Sequence, residues 1–100
     1  MSVDVNGIVL NMELHMGAGA SLISEETYRK HFASTKLSTC PTKLHTYTGE
    51  SIRVLGQITC NVNYQNQHAE LPLVVVEGTG PSLLGRDWLS SIKLNWQEIF

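Results

Sequence analysis

Val3 and Val5 alternate with polar neighbours up to Asn6-Gly7. The alternation then resumes, with Ile8, Leu10, Met12 and Leu14 on one face and Val9, Asn11, Glu13 and His15 on the other. A period of two over this length predicts a half-buried strand, and Asn-Gly suits the positive φ angles of a tight hairpin turn. Residues 15–20, His-Met-Gly-Ala-Gly-Ala, fit neither a strand nor a helix period. They read as a loop leading to a second strand at Ser21-Leu22-Ile23. Ser24 is placed to cap a short surface helix. Glu25 and Glu26 fall in its first turn and Arg29, Lys30 and His31 in its last, charges that suit the helix dipole.

Residues 33–43 are rich in Ser, Thr and Lys with Pro41 near the end, and read as a loop. Strand formers on both sides of Thr48-Gly49 predict an extended hairpin over residues 44–52. Val54, Ile58, Cys60, Val62 and Tyr64 share one parity, and a polar turn at Gln65-Asn66-Gln67 joins them to a strand over residues 68–76. Leu73, Val74, Val75 and Val76 form an unbroken apolar run, which predicts burial on both faces, while Pro72 belongs at an edge or a strand start. Gly78-Thr79-Gly80-Pro81 breaks the sheet. Residues 82–89 lead into one short helix, and residues 92–100 close with a strand-like tail. The pattern is mostly β, with one or two short helices.

Composition narrows the function. One hundred residues make a single domain over 1–100, and at this size a chain buries only about two-thirds of its unfolded surface, so a partner subunit would add core. Seven Lys+Arg stand against nine Asp+Glu, for a net charge of −2, and the basic residues are scattered apart from Arg29-Lys30. No stripe exists to follow a phosphate backbone, which argues against nucleic acid. No apolar run approaches the roughly 20 residues of a membrane span, and the first residues lack the regions of a signal peptide. The expectation is a soluble intracellular protein, cytoplasmic or nuclear. Cys40 and Cys60 have no CxxC or zinc-finger spacing and read as reduced packing residues. No cofactor or metal is implied. His31, His45 and His68 fall in separate surface elements, and Ser21, Ser24 and the Ser34-Thr35 pair lack a nucleophile elbow.

Three elements in order carry a resemblance: Met12-Glu13-Leu14 before the Gly-Ala loop, Leu22-Ile23-Ser24 after it, and Leu83-Leu84-Gly85-Arg86-Asp87-Trp88-Leu89 near the end. Over essentially its full length the chain resembles the retropepsin domain of gypsy-type LTR retrotransposons, relatives of the retroviral aspartic proteases. The resemblance implies an all-β acid-protease barrel with one or two short helices, closed by homodimerisation. It also implies a flap at Thr46, Tyr47, Thr48, Gly49 and Glu50 that closes over a bound peptide, and structural roles for Arg86, Asp87 and Trp88. In the family this Arg braces the active-site loop and the dimer region through polar contacts. Viral relatives often offer an Asp at the position of Gly19, so here Arg86 must find another acceptor. Trp96 and Ile99-Phe100 lie where relatives add terminal strands to a dimer sheet.

The family places Asp-Thr-Gly or Asp-Ser-Gly in the loop, one Asp from each subunit. Here those positions read His15-Met16-Gly17, followed by Ala18. The chemistry requires two carboxylates sharing one proton, one activating water while the other donates to the carbonyl oxygen, and an imidazole cannot reproduce that pair. The thioether of Met16 cannot donate the hydrogen bond with which the family's Thr or Ser braces the two loops. The chain has two Asp residues, Asp4 and Asp87, neither in the loop. Glu13 is offset from His15 by two residues, about 6.5 Å along a strand.

The resemblance, with this defect, implies a degenerate retroelement-derived domain, a pseudoprotease with no catalytic residue. It keeps its fold, a homodimer and an extended peptide as partner. Two His15 side chains facing each other across a dimer are too few ligands for a strong metal site. The rival reading is an aspartic endopeptidase processing a retroelement polyprotein, active through an unforeseen acid or an Asp-bearing partner subunit.

Overall fold

The computed structural model describes residues 1–41, 44–45 and 51–94. Among them the elements run β1 (Ser2–Val5), β2 (Ile8–Leu14), β3 (Leu22–Ser24), α1 (Glu25–His31), β4 (Leu44–His45), β5 (Ser51–Ile52), β6 (Val54–Tyr64), β7 (Gln67–Val76), β8 (Ser82–Leu84) and α2 (Arg86–Leu89). Both tight turns use positive φ: Asn6 at 52° with Gly7 at 83°, and Gln65 at 46° with Asn66 at 64°. That right-handed twist matches the flanking strands. Gln67 is therefore the first residue of β7 rather than the last of the turn. Asp4 secures the first turn by accepting the Gly7 N–H at 3.0 Å.

Six strands form a closed barrel in the order β1-β2-β8-β3-β7-β6, while β4 and β5 pair separately. Closure comes from one chain: β1 pairs antiparallel with β6, placing Asp4 opposite Asn63 and Val5 opposite Val62. The expected all-β barrel has its wall closed within a single chain. β8 is an element that the hydrophobic pattern did not mark as a strand. Its three residues pair parallel with β2, from Met12↔Ser82 to Leu14↔Leu84, and touch β3 through Leu22↔Leu83. Three residues are too few for a period to register, and the pairing is wholly long-range.

The parity reading of β6 also needs correction at its start. Val54 pairs with Val76 and Gly56 with Val75, so an extra residue, Leu55, bulges from the ladder and flips the faces. Ile58, Cys60 and Val62 consequently enter the main core with Trp88, Met12, Ile23 and Leu73. Val54 joins a smaller cluster of Ala20, Leu22, Val74 and Val76, with Cys40, Ile52 and Leu83 against it. Residues 73–76 are buried throughout, as the unbroken apolar run requires.

Pro72 lies within β7, and its fit has a simple reason. Pairing of β7 with β3 runs only from Val74 to Val76, and the Pro72 carbonyl accepts the Trp88 indole N–H at 2.7 Å, so that side of the strand has no ladder partner to lose. Ser24 ends β3 and caps α1, its hydroxyl accepting the Thr27 N–H at 3.1 Å. The tail reading is only partly covered: Ile92 is buried, residues 92–94 form no strand, and Trp96, Ile99 and Phe100 lie outside the described residues.

Candidate functional site

Residues 15–20 connect β2 to β3, and their shape is set by backbone hydrogen bonds rather than side-chain packing. The His15 N–H donates to the Leu84 carbonyl at 3.0 Å, extending the β2–β8 ladder one residue into the loop. The Ala18 N–H returns to the His15 carbonyl at 3.0 Å, closing a β-turn over His15-Met16-Gly17-Ala18. The Arg86 N–H then donates to the Ala18 carbonyl at 2.9 Å. The loop is thus held at its entry by β8 and at its far side by the first residue of α2.

The exit of the loop rests on Ser21, a residue read from sequence only as part of a strand. Its hydroxyl accepts the Gly85 N–H at 2.9 Å and donates to Asp87 Oδ1 at 2.8 Å. The same oxygen accepts the Ser21 N–H at 2.9 Å and the Trp88 N–H at 2.8 Å. Ser21 is fully buried, so each of these polar groups needs the partner it has. Gly85 permits the approach. A Cβ there would sit 2.7 Å from the Ala20 carbonyl oxygen and 2.8 Å from that of Ala18, both backbone atoms with little freedom to yield. Below, Trp88 is fully buried and anchors α2 to β7 through Pro72.

Arg86 braces the loop through its backbone, whereas the side-chain brace is Asp87 acting on Ser21. The exposed Arg86 guanidinium lies against the loop, its Nη2 3.5 Å from where a Cβ on Gly19 would stand. Among the described residues the ion pairs are Arg29–Glu25 and Arg53–Glu77, so Arg86 has no carboxylate there. The signal that could have found Ser21 is its position: it immediately follows the small-residue loop and precedes an apolar strand, where a lone hydroxyl must be satisfied internally.

Chemistry at the tip differs from its support. His15 is half-buried, Met16 is 52% exposed, and Gly17 is exposed. Neither Asp reaches the tip: Asp4 serves the first hairpin, and Asp87 accepts three donors at the loop exit. Glu13 is exposed on β2. Among the described residues no three His, Cys, Asp or Glu side chains gather as a metal site. His31, the last residue of α1, and His68 on β7 are both exposed, and His68 meets Asn63. Burial pushes the Cys60 thiol up from 9.0 to about 11, and Cys40 is partly exposed. A surface depression lined by Met1, Ser2, Asp4, Val9, Asn63 and Tyr64 contains no residue of the loop. The flap positions Thr46, Tyr47, Thr48, Gly49 and Glu50 lie outside the described residues. β4 and β5, which flank them, pair antiparallel through Leu44↔Ile52 and His45↔Ser51.

This closed barrel, with its loop between β2 and β3 and its Leu-Leu-Gly-Arg-Asp-Trp segment folded beneath it, is a retropepsin-like fold. The EIAV protease complexed with the inhibitor HBY-793 superposes with a TM-score of 0.77 at 21% identity, over 95% of this chain and 89% of that one. The retroviral protease-like domain of Ddi1 from Leishmania major gives 0.65 at 15% identity, over 89% and 72%. A retropepsin-like aspartic protease from Rickettsia conorii gives 0.66 at 25% identity, over 94% and 71%. No family model matches the chain, and no curated protein does. No helix among the described residues is long and apolar enough to cross a membrane.

Proposed function

We propose that the chain is a retropepsin-like domain of gypsy-type retroelement origin that works inside the cell as a homodimer, holding an extended peptide segment without hydrolysing it. One observation carries the reading: the loop keeps its full support while its tip carries His15. The aspartic route needs two carboxylates sharing a proton. An imidazole cannot supply the short oxygen-to-oxygen pairing, and both Asp side chains of the chain are engaged elsewhere. The side chain of Met16, half exposed at the tip of the loop, supports packing of a second copy there. The flap residues 46–50 would cover the bound segment, which would add to the sheet by backbone pairing.

The test is a cleavage assay on a peptide mixture with and without pepstatin, beside sedimentation of the same sample. The wild-type chain is expected to sediment as a dimer and to show no pepstatin-sensitive cleavage. Cleavage that pepstatin blocks would restore the active endopeptidase. Combining His15→Asp with Met16→Thr is expected to bring cleavage back, because the loop's frame is intact. Continued silence of that variant would place a further defect outside residues 15–18.

A further inference from the structure

We propose that Asn6 is a site of spontaneous covalent modification, hydrolysis of its carboxamide to aspartate or isoaspartate, which the closed seam between β1 and β6 holds in check. The starting point is a dipeptide that the sequence marks only as a turn. Among the Asn residues of the chain Asn6 alone precedes Gly; Asn11, Asn61, Asn63, Asn66 and Asn95 precede Met, Val, Tyr, Gln and Trp. Asn is a thermolabile side chain, and a following Gly has no Cβ to shield its nitrogen and leaves the backbone its widest freedom. Space is open as well: no heavy atom lies within 4 Å of where a Gly7 Cβ would stand.

The reaction needs no reagent but water. The Gly7 nitrogen gives its proton to solvent and attacks Asn6 Cγ; the new bond closes a five-membered imide, and the Cγ–Nδ2 bond breaks to release ammonia. Water then opens the imide. Attack at Cγ leaves aspartate, and attack at the backbone carbonyl carbon leaves isoaspartate, with the chain rerouted through the side chain. Nothing is oxidised or reduced.

Three hydrogen bonds of the folded chain oppose the first step. The Gly7 N–H donates to Asp4 Oδ1 at 3.0 Å, which ties the attacking nitrogen. Asn6 Oδ1 accepts the Asn61 N–H at 2.7 Å, and the Asn6 N–H donates to the Asn61 carbonyl at 2.9 Å, so the carboxamide is drawn towards β6. Both residues of the turn are exposed, and water is at hand. Attack therefore waits until Asn6 leaves Asn61, at the end of the seam that pairs Asp4 with Asn63 and Val5 with Val62. Isoaspartate adds a backbone carbon to a two-residue turn that sets Val5 opposite Ile8, and either product adds a negative charge two residues from Asp4. An opening of the barrel wall is thus recorded in a bond that does not revert. The proposal depends on neither peptide binding nor association.

The experiment incubates the full-length chain at mildly alkaline pH and follows the mass gain of amide hydrolysis, located by fragmentation of the digested protein. In denaturing urea the gain is expected at Asn6 ahead of every other Asn. In native buffer it should accumulate at least about tenfold more slowly, because only the open fraction reacts. Urea too dilute to unfold the barrel should raise the native rate. Asn6→Gln should abolish the signal there, since its longer side chain would have to close a six-membered ring. Asp4→Ala, which frees the Gly7 N–H, should raise the native rate severalfold.

Absence of the mass gain at Asn6 in urea would overturn the site. Equal rates in native buffer and in urea would overturn its control by the seam. Slower conversion in Asp4→Ala would show that the carboxylate serves as base for the attacking nitrogen rather than as a restraint, and the proposal fails. Should that variant not fold, the wild-type comparison between native buffer and urea decides alone.

Discussion

The loop between β2 and β3 has a base and a tip that obey different rules. At the base, Gly85, Ser21, Asp87 and Trp88 are tied by contacts in which almost no atom can be exchanged. Two backbone carbonyls lie within 2.8 Å of where a Gly85 side chain would begin, and Asp87 Oδ1 accepts three donors. At the tip, Met16 and Gly17 face outward and are constrained by little beyond one turn hydrogen bond. The comparison teaches that geometry and chemistry at such a site are carried by separate residues. A change of side chain at the tip can alter the chemistry there and leave the supporting frame in place.

The strongest way to break the base is to remove its anchor. Trp88→Ala deletes a fully buried ring and orphans the Pro72 carbonyl contact, and is expected to cost about 3–5 kcal/mol in urea unfolding. Gly85→Ala comes next, at roughly 1–3 kcal/mol, because the added carbon meets backbone rather than a movable side-chain end. Retention of wild-type stability by that variant would show that the loop relaxes more readily than its hydrogen bonds imply.

The core beneath the base also has a titratable weak point. The Cys60 thiol is uncharged when it holds its proton, and burial raises its pKa from 9.0 to about 11. The unfolded chain therefore loses this proton first as pH rises. The stabilisation is complete below about pH 9 and is lost progressively as pH climbs through about 11. A Cys60→Val variant, measured beside the wild type by denaturant titration at each pH, should lack roughly 1–3 kcal/mol of that alkaline loss. In the native protein Cys40 should react with a thiol reagent well before Cys60. Smallest of all is the tip itself: Met16→Ser should leave the stability of a single subunit within about 0.5 kcal/mol, whatever it does to association.

How much of this could be read from the chain follows from the range of the forces involved. The β1–β2 hairpin, the Ser24 cap, helix α1 and the long β6–β7 hairpin rest on near neighbours and stood out in the pattern. The location of the loop was equally plain, because residues 15–20 break the strand pattern locally. What stayed hidden was long-range. β8 has three residues and acquires its identity only from β2 and β3. Val54 shares a parity with Ile58 in sequence, yet the bulge at Leu55 sends it to the other cluster. Ser21 meets Asp87 across a separation of 66 residues, and no spacing rule announces such a pair. The division of labour between Arg86 and Asp87 was hidden for the same reason.

The pairing of β1 with β6 has a consequence for how copies of this chain would come together and part. Because the wall of the barrel is complete in a single polypeptide, folding does not wait for an encounter between two molecules. Dilution should therefore separate copies into intact subunits, and the melting temperature should drift with concentration only by the free energy of association, without collapsing as it does for intertwined obligate pairs.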